Sequence, residues 1–147
     1  MQRVIKVFAF VCLMLYLSFL LYLLFFSHYR QEVKGIVDYN LIPFRSITRH
    51  LLSLDNIGME LLTDNFFGNI LAFIPLGFLL PIVWNKVNTF TNTLIISSLC
   101  SLVIEITQWL TRLGAFDVDD IILNTIGGLC GFLLVRMLQK IVCKSFH

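Results

Sequence analysis

The sequence predicts an all-α membrane protein, a polytopic helical bundle of four transmembrane helices with one long loop between the first and second. Three observations carry that reading. The chain is 58% hydrophobic and 14% charged with a mean hydropathy of +0.86, against roughly 45–50% apolar and 25% charged residues in soluble domains. Its apolar residues gather in runs too long for the core of a soluble fold. Its ionisable residues sit at the mouths of those runs, where each is costly to keep and points to a functional site. The 147 residues suffice for a single domain, 1–147.

The first span is read over residues 4–26, interrupted only by Lys6, which is about 34 Å of helix. Arg3 and Lys6 would also suit a signal peptide. The apolar run is too long for one, however, and Ser27-His28-Tyr29-Arg30 stands where a small-residue cleavage site belongs. An uncleaved helix is expected. Residues 28–65 form the long loop, with five acidic and four basic residues. Within it, residues 46–54 place Ile47, Leu51 and Leu54 on one helical side, near Arg45, Arg49 and His50. That suits either a short helix in the headgroup layer or a solvated loop. The second span covers about 66–84 and contains Pro75, Gly77 and Pro81. Neighbouring helices can satisfy the carbonyls that proline frees, and a kink near Pro75 is expected. The third span covers about 93–110 and the fourth about 120–142.

Composition also excludes. A net charge of +2, without a basic tract interleaved with aromatics, argues against nucleic acid. Cys12, Cys100, Cys130 and Cys143 are scattered singly, and His28, His50 and His147 lack ligand spacing. The expectation is therefore small buried cysteines and no cofactor. Orientation rests on lysines and arginines. Arg3, Lys6, Lys86, Arg136, Lys140 and Lys144 fall on one side, and Arg30, Lys34, Arg45, Arg49 and Arg112 on the other. The basic start of the first helix favours both termini in the cytoplasm.

One consequence holds for either orientation. The long loop, the start of span two, the end of span three and the start of span four share one side. At 100° per residue, Ser98, Ser101, Glu105, Gln108 and Arg112 form one stripe on span three. Asp120, Asn124, Gly127 and Gly131 form another on span four, and Asn65, Asn69 and Ala72 a third on span two. Gly127 and Gly131 make a GxxxG, which lets helix backbones approach closely in lipid. Facing one another, the stripes predict a shallow polar pocket lined by Asn69, Glu105, Gln108, Arg112, Asp117, Asp120 and Asn124, with Arg45 in the loop above. Each part has a plainer role available: interhelical bonding for Asn, packing for GxxxG, snorkelling for Arg112, and a solvated or helix-capping turn for Asp117, Asp119 and Asp120. Glu105 is hardest to dismiss, because a carboxylate in hydrocarbon must be paired or protonated, with Arg112 or a polar group on span four its expected partner.

At these residues the chain resembles the VanZ-like family of bacterial membrane proteins. The matching stretches are Asn40-Leu41-Ile42-Pro43-Phe44, then Asn69 through Pro75 to Gly77, then Glu105-Ile106-Thr107-Gln108. Last come Asp117-Val118-Asp119-Asp120 and Asn124-Thr125-Ile126-Gly127-Gly128 with Gly131. They cover about residues 36–135. The resemblance implies a multi-pass protein of the bacterial plasma membrane and, for some members, lowered susceptibility to the glycopeptide teicoplanin.

Three functions follow from the residues. The first is a non-enzymatic protein that binds or shields a lipid-linked cell-envelope precursor, a membrane lipid or a glycopeptide's acyl chain, with Arg45, Arg49 and Arg112 suited to phosphate. The second is an intramembrane enzyme, with Glu105 as general base and Asp117 and Asp120 holding a divalent cation. The third is a transport subunit, which with four helices would require a homo-oligomer. The first is preferred.

Overall fold

The computed structural model describes residues 2–26, 38–52 and 66–145. Arg30, Lys34, Leu54 and Asn65 lie outside them, as do His28, His147 and the side chains of Arg49, His50, Leu51 and Cys143. Among the described residues five α-helices follow in order: α1 (Gln2–Phe26), α2 (Arg45–Leu52), α3 (Gly68–Val83), α4 (Phe90–Leu110) and α5 (Val118–Ser145). Of these, α1, α4 and α5 are long and apolar enough to cross a membrane, whereas α3 is apolar but shorter. Between α2 and the alternative of a solvated loop, the structure forms the helix.

Apolar side chains on α1 and α4 point outward. Phe8, Leu15 and Phe19 on the first, and Leu99, Val103 and Leu110 on the second, are more than half exposed. What α4 buries instead is polar: Thr93, Ser97, Ser101, Glu105 and Gln108. These recur every three or four residues, so they form one face of the helix. That face meets α5, and α5 in turn packs most extensively on α3.

The α3–α5 contact depends on missing side chains. A Cβ on Gly77 would collide with the Gly128 carbonyl, and one on Gly127 with the Ile70 carbonyl. One on Gly131 would meet the Ile74 carbonyl. Backbone thus rests on backbone, which is how helices associate where lipid supplies no hydrophobic drive. Pro75 and Pro81 lie inside α3. α1 is fastened to this pair by a core of Leu13, Phe73, Leu76 and Leu80, and by the Tyr16 hydroxyl, which donates to the Ala72 carbonyl at 2.6 Å.

A short 3-10 turn, Asn85–Val87, joins α3 to α4. Thr89 caps α4, accepting from the Asn92 N–H at 3.2 Å. The other end of α4 closes with two reversed bonds: Leu113 N–H to Gln108 O at 2.9 Å, and Arg112 N–H to Trp109 O at 3.2 Å. This is a Schellman termination, and Arg112 takes its left-handed position with φ 57°. Beyond it, Phe116–Asp117 (β2) pairs in parallel with Tyr39–Asn40 (β1), Asn40 opposite Asp117. This two-residue ladder was not foreseen in the sequence. It docks the loop onto the α4–α5 turn.

Candidate functional site

The polar residues at this end form a latch. Asp119 is fully buried in the first turn of α5. Its Oδ1 accepts from the Phe44 N–H at 2.6 Å, and its Oδ2 from the N–H groups of Ser46 (2.7 Å) and Ile47 (3.1 Å). Those amides lead into α2, whose first N–H groups lack partners within their own helix. A carboxylate borrowed from another helix therefore caps α2, through charge-assisted bonds that also suit the helix dipole.

Asp117 holds the same loop by side chains. Its Oδ1 accepts from Asn40 Nδ2 (2.9 Å) and from the Asp119 N–H (2.8 Å), the latter capping α5. Its Oδ2 accepts from the Ser46 hydroxyl. The Ser46 oxygen itself accepts from Asn40 Nδ2 at 3.1 Å. Beneath them, Glu105 Oε2 accepts from the Asp117 N–H at 3.1 Å, on a residue only 2% exposed. One connected network thus runs from the middle of the protein to the loop.

Two further contacts lie on the α4 stripe. Asn124 donates to Ser101 Oγ at 2.8 Å, while Asn124 Oδ1 and Ser97 Oγ are buried without a partner among the described residues. Gln108 donates to the Leu24 carbonyl at 3.1 Å, tying the end of α1 to the end of α4.

The predicted pocket residues therefore divide. Glu105 and Asp117 meet in the latch, and Gln108 and Asn124 bond in the buried interior beside it. Asp120 is half-buried next to them. Arg112 is not on the stripe: α4 ends two residues earlier, and the left-handed turn leaves Arg112 exposed. No ion pair joins it to Glu105 among the described residues; of the two expected partners Arg112 is ruled out, and Glu105 instead accepts from the Asp117 N–H at the start of α5. Arg45 is likewise exposed, and Asn69 is half-buried on α3. The idea of a solvated turn fails for Asp119, which is 0% exposed. Sequence reasoning left Asp119, Asn40 and Ser46 out of the site, although the Asn40–Phe44 and Asp117–Asp120 stretches already marked the two partners.

The latch is not an open recess, because its oxygens already receive N–H and O–H donors. A cation at Asp117 would have to displace three of them. Among the described residues no three His, Cys, Asp or Glu side chains converge as metal ligands. One open space among the described residues lies alongside, between α1, α3 and α4. It is an apolar cleft of about 390 Å³ that includes Leu17, Leu24, Phe73, Leu76, Cys100 and Ile104 in its walls, within the roughly 300–1,000 Å³ of small-molecule sites. Its Leu24 end lies next to the Gln108 contact, hence beside the latch.

Apolar helices of spanning length, joined at one end by a buried carboxylate latch, define a helical membrane protein. The chain belongs to the VanZ/LLP1 family, whose profile matches residues 8–139. It is 29% identical over 133 residues to Protein VanZ of Enterococcus faecium, covering 87% of this chain and 73% of that one. No solved structure matches it.

Proposed function

We propose that this protein crosses the bacterial plasma membrane four times, with both termini cytoplasmic, and holds one lipid-linked cell-envelope component by its acyl chain. The 16 residues of α3 give about 24 Å of helix against a hydrocarbon core of about 30 Å. Tilt of its neighbours, or local thinning of the bilayer, accommodates that difference. The latch then faces the extracytoplasmic side.

The observation that carries the reading is the cleft's position. It is apolar, open at the surface of the bundle between α1, α3 and α4, and set in the same half of the bundle as the latch. An acyl chain would lie along Leu17–Leu24, about 10 Å of helix. Its head group would emerge at the latch end of the bundle. The relative named Protein VanZ and the family's link to teicoplanin favour two occupants of one chemistry, a lipid-linked precursor or the acyl tail of the glycopeptide. Either would shield envelope synthesis from the antibiotic. An intramembrane enzyme finds less support, since Glu105 faces a backbone N–H. A transport path finds less as well, because the polar stripe of α4 is packed against α5, with Ser97 Oγ seated where a Gly128 Cβ would stand.

Expression in a teicoplanin-susceptible bacterium tests this. Growth should extend to higher teicoplanin, and Cys100→Trp, which fills the cleft, should abolish the gain at equal protein level. An unchanged gain in that variant would overturn the reading.

A further inference from the structure

The loop before α2 carries a second feature that the cleft does not use. Leu41, Ile42 and Phe44 are 61%, 59% and 58% exposed, and Tyr39 beside them is 64% exposed. Elsewhere among the described residues such exposure falls on the apolar helices and, at Phe67 and Trp84, on the two ends of α3. Here it falls on a non-helical segment. Contiguous apolar exposure of this kind marks an interaction surface.

The segment is also held rigid. The Ile42 N–H donates to Asn40 Oδ1 at 3.2 Å, the Arg45 N–H to the Ile42 carbonyl at 3.3 Å, and the Phe44 N–H to Asp119. Phe44 has φ 66°, a conformation rare for a bulky residue that persists only where the surroundings over-determine it. The latch thus fixes three large apolar side chains outward, at a cost in backbone strain.

We propose that residues 41–45 form a wedge in the bilayer interface. Leu41, Ile42 and Phe44 enter the acyl boundary of the leaflet at the α4–α5 turn, and Arg45 binds an anionic lipid phosphate above them. Continuity favours lipid over a protein partner. The segment is pinned to the first turn of α5, at the end of the bundle where α4 terminates with Trp109 and Leu110 exposed. Tyrosine and tryptophan collect at that depth, and an exposed guanidinium directly after the apolar residues matches a phosphate fork. The wedge also gives Asp119 a purpose: the three amides it binds include that of Phe44. This inference needs no occupant in the cleft, so it stands or falls separately from the function proposed above.

The test uses the full chain in vesicles of phosphatidylglycerol and phosphatidylcholine, with Trp84 and Trp109 replaced by Phe and Ile42→Trp as reporter. Leu41→Trp serves as a second reporter should the first fold poorly. Amphipathic elements settle about 5–10 Å into the headgroup boundary. The reporter should therefore show blue-shifted emission, and should lose more of it to lipids brominated near the carbonyl than to those brominated near the chain end. Brominated phosphatidylglycerol should quench more than brominated phosphatidylcholine, and Arg45→Gln should erase that difference. Water-like emission quenched by iodide overturns the wedge. Protection that depends on protein concentration, with cross-links between copies, would assign the surface to self-association and overturn it equally. A lipid preference that survives Arg45→Gln removes the phosphate contact.

Discussion

Asp119→Asn isolates the latch with the smallest change of shape. The carboxylate serves three amides, one through Oδ1 and two through Oδ2. An amide offers one oxygen and turns an NH2 group toward the remaining donors. In its better orientation the variant keeps Ser46 and Ile47 and abandons Phe44. The loss is at least one bond to a charged acceptor, about 1.5–3 kcal/mol. At 1.4 kcal/mol per decade, that is about a 10- to 150-fold increase in opening of the loop. The loop has little other burial among the described residues, so the effect should stay local. Hydrogen exchange in lipid nanodiscs should show the amides of Phe44, Ser46 and Ile47 exchanging faster, with those of α4 and α5 unchanged. Unaltered exchange at these three amides would refute the capping argument. A uniform rise across the spanning helices would refute the claim that the latch is a local device.

The helix contacts make further predictions. Gly77→Ala drives a methyl into the Gly128 carbonyl, and backbone cannot yield as a side chain would. It should destabilise the α3–α5 pair by about 1–3 kcal/mol, read as an earlier unfolding midpoint in denaturing detergent. Arg112→Gly should be neutral or stabilising by up to about 1 kcal/mol, because glycine relieves the left-handed strain at the end of α4. A marked loss in the same assay would mean that the Arg112 side chain has a role the turn geometry does not reveal.

Much of the bundle was legible in the sequence because long apolar runs have few alternatives to helices. The stripe from Ser101 through Glu105 to Gln108 could be read as well, since helical periodicity alone puts those residues on one face. Periodicity does not announce where a helix stops. That is why the periodicity carries the stripe on to Arg112, the next residue in register, although a left-handed turn takes it away. Asp119 was hidden for the converse reason. It lies about 100° round α5 from the Asp120–Asn124 line, and its partners are backbone amides more than seventy positions earlier. The β1–β2 pairing is equally remote in sequence, and two residues carry no strand pattern. The cleft left no polar signature, since apolar walls read like any other lipid-facing surface.

The most direct measurement is native mass spectrometry of gently extracted protein, comparing wild type with Cys100→Trp. The account predicts wild type carrying one retained lipid or lipid-linked molecule per chain, and the variant, folded and of equal stability, losing it. Equal retention by both, or none by either, would contradict an acyl-chain site between α1, α3 and α4.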